Sequence, residues 1–170
     1  EVGPPCSTLI AVRPKLEHAI NNWFESSLEE KNRIEPIPHR FELSWSPLFE
    51  TKPVGGPTDQ PPYINAVLVV KGLKLSALKP SEKAALSLLE KLRALEEFFG
   101  RNQQSRLIAW GPRTLDLDLL AWGDLQVKNS KLTLPHPRLI ERSFVVVPLA
   151  AALCKNNEPQ RIPPHKNWPE

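Results

Sequence analysis

Two carboxylates separated by one residue, Asp116 and Asp118, form the most chemically suggestive pattern in the chain, within Trp110-Gly111-Pro112-Arg113-Thr114-Leu115-Asp116-Leu117-Asp118. Side chains two positions apart in a strand share a face, roughly 6–7 Å from one another. Read as a strand, the segment turns both carboxylates to one side and sends Leu115, Leu117 and Leu119 into the core. Such a pair can hold one or two Mg²⁺ ions, which keep most of their water and bind substrate phosphates. The competing reading is an edge strand with a solvated polar face. Alternation alone favours it by about three to one, since D-x-D is a weak pattern. Arg113 and the Gly-Pro turn shift that balance, because a cation beside paired carboxylates suits a bound polyphosphate.

Two further stretches carry polar groups in restrained backbone. His136 lies between Pro135 and Pro137, which hold it extended and out of any helix, and Arg142 follows six residues on. Together they could contact phosphate; a surface loop with incidental charge reads equally well. The stretch from Thr51 to Asn65 is rich in proline and glycine, and stiffness of that kind lowers the entropy cost of holding a ligand. Tyr63 and Asn65 share one strand face at its end. An aromatic ring beside an amide can stack on and hydrogen-bond a flat heterocycle. A core tyrosine next to a turn-capping asparagine is at least as good a reading of those residues.

The elements that must position these groups follow from periodicity. A helix is expected from about Pro14, with Leu16, Ala19, Ile20, Trp23, Phe24 and Leu28 on its apolar stripe, after a loop-like start. Residues 39–49 alternate and predict a strand broken or bulged at Pro47; Ile64 to Lys71 predicts a second. The clearest helix spans about Pro80 to Phe99, closed by Gly100. Leu115 to Trp122 predicts a strand, Gly123-Asp124 a hairpin turn into Leu125 to Val127, and Lys131 to Leu134 another short strand. A strand before the first helix would complete βαββαβ, a ferredoxin-like α+β sandwich with an antiparallel sheet and helices packed on one side. The expected organisation is a single domain over residues 1–170, with an unmatched start at 1–8 and a polar, proline-rich tail at 154–170.

Composition narrows the function classes. The chain has 41% hydrophobic and 24% charged residues, which argues against disorder. Its longest apolar run, Phe144 to Leu153, falls short of the ~18 residues that span a bilayer and contains Pro148. No charged segment leads into an apolar one at the start, so no signal peptide is expected. Proline reaches 19 of 170 residues, clustered in loops. A net charge of +3 without basic runs fits a phosphate-bearing ligand but says little by itself. Cys6 and Cys154 make neither a disulfide framework nor a zinc pair, which suits free thiols in the cytoplasm. A metal-dependent nuclease, another phosphoryltransferase and an RNA-binding sheet all remain open on these residues.

Taken together, three stretches resemble the 6-hydroxymethyl-7,8-dihydropterin pyrophosphokinase family. They are Trp110 to Leu120, Leu134-Pro135-His136-Pro137-Arg138 with Glu141-Arg142-Ser143-Phe144-Val145, and Pro57 to Ala66, within a likeness that runs from about Leu9 to Ala152. The resemblance implies a ferredoxin-like fold and transfer of pyrophosphate from ATP to the pterin hydroxymethyl group in folate biosynthesis, with release of AMP. It implies that Asp116 and Asp118 hold two Mg²⁺ ions, with Arg113 as a catalytic partner. Tyr63 and Phe144 match the aromatic pair around the pterin, Asn65 the amide at its edge, and Thr51 and Val54 positions that reach it through their backbone. Arg113, His136 and Arg142 match phosphate-contacting positions, and Trp110 a lid residue over both substrates. Glu96 and Arg101 match a substrate-proximal carboxylate and an arginine on the ATP side. The implied partners are ATP and the pterin alone, without nucleic acid or membrane, acting on a monomer.

The chain departs from the family pattern in two places. The loop before Trp110 usually carries several arginines; here Asn102 to Ile108 offers only Arg106, and Ala109 stands where an arginine is usual. Weaker nucleotide binding is expected from that difference, and a catalytically impaired relative or a truncated fragment of the family stays open as the alternative to an active enzyme. The family's first strand and its glycine- and asparagine-containing loop have no match in Glu1 to Ser7, so a sheet lacking its first strand is expected.

Overall fold

A computed structural model of the chain describes residues 5–27, 41–51, 62–72, 78–100 and 115–154. The first helix, α1, spans Pro5–Ser27 and contains Pro14. This corrects the expected start near Pro14. Thr8, Val12, Leu16 and Ile20 recur every four residues and are all buried, so the inward stripe begins well before the proline. Pro14 itself is exposed. An internal proline costs about 3 kcal/mol, and burial of the stripe on both sides of it outweighs that cost.

Four short strands follow: β1 (Glu42–Trp45), β2 (Phe49–Thr51), β3 (Tyr63–Asn65) and β4 (Leu68–Lys71). β1 pairs antiparallel with β4, from Glu42↔Lys71 to Trp45↔Leu68. β2 pairs antiparallel with β3, from Phe49↔Asn65 to Thr51↔Tyr63. Between the two ladders, residues 46–48 oppose only 66 and 67, so the predicted interruption at Pro47 is a β-bulge. Ser46 secures it. Its N–H donates to the Val67 carbonyl at 2.9 Å, and its hydroxyl accepts from the Val67 N–H at 2.9 Å. Asn65, Thr51 and Tyr63 are thereby brought to one end of the bent ladder.

The second helix, α2, spans Glu82–Phe98. Its N-cap is Ser81, whose hydroxyl accepts from the Ala84 N–H at 3.3 Å. Gly100, at φ 95°, follows its last turn as predicted. α1 and α2 pack on one face of the sheet. Leu16, Ile20, Trp23, Phe24, Leu88 and Leu92 form the core there, and Leu43, Trp45, Leu68 and Val70 meet it from the strands. Trp23 donates its indole N–H to the Ala84 carbonyl at 3.1 Å, fixing the helix pair. Trp45 donates to Glu17 at 2.8 Å and lies 4.8 Å beneath the Arg13 guanidinium, fixing α1 to the sheet.

The third helix, α3 (Ser143–Leu153), occupies the apolar run to which the sequence reading assigns no element, and Pro148 is buried within it. It approaches all four strands of the ladder. Ser44 points away from Leu43 and Trp45 yet is buried, so the second face is covered as well. α3 thus covers the face that α1 and α2 leave.

Leu115 to Leu120 differs from expectation. It keeps the in-and-out alternation, with Leu115 buried and Asp116 and Asp118 exposed, but it joins no ladder among the described residues. A segment in this place needs a neighbouring strand, and in βαββαβ that neighbour is the first strand; the described residues before β1 form α1 instead. The turn at Gly123-Asp124 is present, closed by Leu125 N–H to the Trp122 carbonyl at 3.0 Å. The hairpin it was expected to join is not. Instead β5 (Val127–Lys128) pairs with β6 (Thr133–Leu134). These contribute Val127, Leu132 and Leu134 to a smaller core against Ala85 of α2.

Candidate functional site

A cleft of about 490 Å³ opens where α2, the 115–120 segment and the β5–β6 hairpin meet. Leu89, Arg93 and Glu96 reach it from one face of α2, spaced four and three apart. Asp116 and Asp118 line it because Leu115 and Leu117 turn inward between and beside them. His136, Pro137 and Arg142 close another side. Five residues singled out from the sequence are therefore gathered in one place: Glu96, Asp116, Asp118, His136 and Arg142.

Two hydrogen bonds hold the backbone of the segment bearing the two aspartates. The Leu117 N–H donates to Glu96 Oε1 at 2.8 Å, and the Leu120 carbonyl accepts from the His136 N–H at 2.7 Å. Glu96 is only 2% exposed, so this carboxylate serves the backbone from inside the protein. His136 is held in turn: its carbonyl accepts from the Leu139 N–H at 3.0 Å, and its Nδ1 faces the Arg138 N–H at 3.2 Å.

The hairpin supplies residues that sequence reasoning missed. Asn129, Ser130, Lys131 and Thr133 line the cleft, and Arg93 faces it from α2. Asn129 organises the turn. Its Oδ1 accepts from the N–H groups of Lys131 and Leu132, both at 2.8 Å, and its Nδ2 donates to Glu82 at 2.7 Å. An asparagine two residues ahead of a lysine was a usable turn signal, but nothing in the spacing pointed this turn toward the aspartates.

The expected ring-binding residues form a second group, at the end of the β2–β3 ladder. Thr51 and Tyr63 are cross-strand partners. Asn65 donates from Nδ2 to Thr51 Oγ1 at 2.7 Å, which orients the amide. Tyr63 is 41% exposed. Phe144 sits in the first turn of α3, and the Arg142 guanidinium lies 5.3 Å from the centre of its ring. Arg142 thus lines the cleft and stacks on Phe144. Val54, Arg101, Trp110 and Arg113 lie outside the described residues, as do the arginine-poor loop and the tail after Cys154.

The donor set fits magnesium. Among the described residues no group of three or more His, Cys, Asp or Glu side chains is placed to hold a metal ion. Two exposed carboxylates on a cleft wall are what Mg²⁺ uses when water and substrate phosphates complete its shell. No helix among the described residues is long and apolar enough to cross a membrane.

Comparison with known proteins gives consistent results. The profile of the 7,8-dihydro-6-hydroxymethylpterin-pyrophosphokinase family matches residues 15–153. A 2-amino-4-hydroxy-6-hydroxymethyldihydropteridine pyrophosphokinase of Synechocystis is 44% identical over 107 residues, 63% of this chain and 46% of that protein. Its namesake from Haemophilus influenzae is 41% identical over 116 residues, 68% of this chain and 64% of that protein. A mitochondrial folate synthesis bifunctional protein of Arabidopsis thaliana is 44% identical over 146 residues, 85% of this chain but 23% of that protein. The chain thus spans less than two thirds of the length of each of these relatives. With its motifs, its α+β architecture and this match over most of its length, the chain belongs to the 7,8-dihydro-6-hydroxymethylpterin-pyrophosphokinase family.

Proposed function

We propose that the chain transfers pyrophosphate from ATP to the hydroxymethyl group of 6-hydroxymethyl-7,8-dihydropterin, releasing AMP, as a step of folate biosynthesis. The observation that carries this reading is the cleft that gathers Asp116, Asp118, His136 and Arg142, with the Arg142 guanidinium 5.3 Å from the centre of the Phe144 ring. In the reaction the pterin hydroxyl oxygen bonds to the β-phosphorus of ATP. The bond from that phosphorus to the oxygen bridging to the α-phosphate breaks, AMP leaves with its electron pair, and the hydroxyl proton is lost to solvent. Catalysis of this kind is mainly positioning and charge neutralisation.

Asp116 and Asp118 are the residues to hold Mg²⁺, which when bound screens the polyphosphate charge and polarises its oxygens. Arg142 and His136 bind phosphate oxygens, with Arg113 expected beside them. Thr51, Tyr63, Asn65 and Phe144 orient the pterin. No side-chain general base is needed in this scheme. The chain acts on small molecules as a monomer. Its compartment is one that keeps thiols reduced, the cytoplasm in the first instance; the Arabidopsis relative is mitochondrial by name.

The test is incubation with ATP, Mg²⁺ and the hydroxymethyl dihydropterin, followed by assay of AMP and of the pyrophosphorylated pterin. Equal release of both products, abolished by EDTA and absent without pterin, is the expected result. Nucleotide hydrolysis that ignores the pterin, or cleavage of nucleic acid, would redirect the assignment to another phosphoryl-transfer chemistry.

A further inference from the structure

We propose that Glu96 is a positioning residue, which sets the direction of Asp116 and Asp118 by holding the backbone between them; the proposal rests on the reading of that pair as the metal site. Leu117 is the residue between the aspartates, and its N–H donates to Glu96 Oε1 at 2.8 Å. The carboxylate that accepts it is 2% exposed. A carboxylate so buried is costly to keep unless it is well hydrogen-bonded. Its presence in the last turns of α2, where an apolar residue would pack at less cost, calls for a purpose.

The backbone it serves gives that purpose. Residues 115–120 join no ladder among the described residues, so no strand among these fixes their rotation. An extended chain without a ladder can twist about its own axis, and a small rotation at Leu117 swings both flanking side chains together. Glu96 fixes that rotation from α2. The His136 N–H on the Leu120 carbonyl, at 2.7 Å, fixes the far end. The two clamps tie the aspartate pair to the helix on one side and to His136 on the other. Ligand-bearing groups depend on such outer supports, and losing one typically lowers metal affinity or activity by about 10–100-fold.

Positioning needs an acceptor oxygen at the right reach, whereas contact with metal or nucleotide needs the charge. Glu96→Gln keeps the acceptor, Glu96→Ala removes it, and Glu96→Asp withdraws it by one methylene. The full chain with each substitution is examined by amide hydrogen exchange at Leu117, by Mn²⁺ binding without substrates, and by turnover. In Glu96→Ala the Leu117 amide loses protection while α2 amides keep theirs. Mn²⁺ affinity and kcat fall about 10–100-fold, and the KM for the pterin changes by less than about threefold, because its contacts lie at Thr51, Tyr63 and Asn65. Glu96→Gln recovers most of each loss, and Glu96→Asp behaves like Glu96→Ala. If Glu96→Ala does not fold, the contrast between Glu96→Gln and Glu96→Asp decides the question. Glu96→Gln as damaged as Glu96→Ala in Mn²⁺ binding and kcat would overturn the proposal in favour of a charged contact. So would a Leu117 amide that stays protected in Glu96→Ala. A parent protein without pyrophosphokinase activity, but with the expected Leu117 exchange and Mn²⁺ losses, would refute the functional reading and leave the positioning role standing.

Discussion

The two halves of the site are supported in different ways. Thr51, Tyr63 and Asn65 stand on paired strands, where each backbone is fixed by a neighbour along its length. Asp116 and Asp118 stand on a segment with no ladder among the described residues, fixed by one buried carboxylate and one backbone N–H. In a ladder the loss of one bond is shared among its neighbours. Away from a ladder, each backbone hydrogen bond carries more of the geometry. The proposed ring-binding half should thus tolerate backbone-level damage better than the proposed metal-binding half, and substitution can separate the two.

The sharpest separation is at the aspartates. Asp116→Ala or Asp118→Ala is expected to lower kcat by about 10²–10³-fold or more, while thermal stability moves by no more than about 0.5 kcal/mol, as is usual for exposed side chains. Pterin binding measured by titration should hold far better than turnover. Near-normal kcat in Mg²⁺ for either variant would remove the metal role. Next in size is the bulge. Ser46→Ala strips the buried Val67 N–H of its acceptor and should cost about 1–3 kcal/mol in denaturant unfolding. Its effect on kcat should be small, since the rest of the ladder holds β2 and β3. A large kcat loss at unchanged stability would mean that the bulge, not the ladder, positions the ring-binding edge. The smallest effect expected is from Asn65→Ala, which removes the amide oriented by Thr51. The KM for the pterin should rise about tenfold, equivalent to ~1.4 kcal/mol, with KM for ATP within about twofold. A matched rise in both would show that the two halves are not separable at this point.

Much of this was legible in the sequence where one local rule acted alone. α2 has a serine cap, an apolar stripe and a following glycine, and each is where its rule puts it. The bulge was legible because Pro47 cannot donate to a ladder. The prolines inside helices misled in the opposite direction. Pro14 read as a helix start and lies within α1; Pro148 left its apolar run without an assigned element and lies within α3. In both, the packing of residues on either side outweighs a local cost that sequence alone shows without its compensation. The aspartate pair was legible by residue type, but its support was not. Glu96 and Leu117 are 21 residues apart, and no periodicity joins a helix's last turns to an unpaired segment. Likewise Asn129 and Lys131 belong to a hairpin with strands of two residues, too short to show alternation.

Pro148 has a consequence for the ring in front of it. Having no N–H, it cannot return a hydrogen bond to the carbonyl four residues back, that of Phe144. The first turn of α3 is therefore tethered to the remainder of the helix by one bond fewer than an unbroken helix would give. Local opening is cheapest where such tethers are fewest, and segments of this kind come and go on microsecond to second timescales without global unfolding. Phe144 thus sits in a turn that lacks one of its tethers, while Ala152 is buried at the other end. In the proposed site the ring would therefore ride on a single helical turn, and a flat molecule could enter or leave against it without the sheet beneath moving.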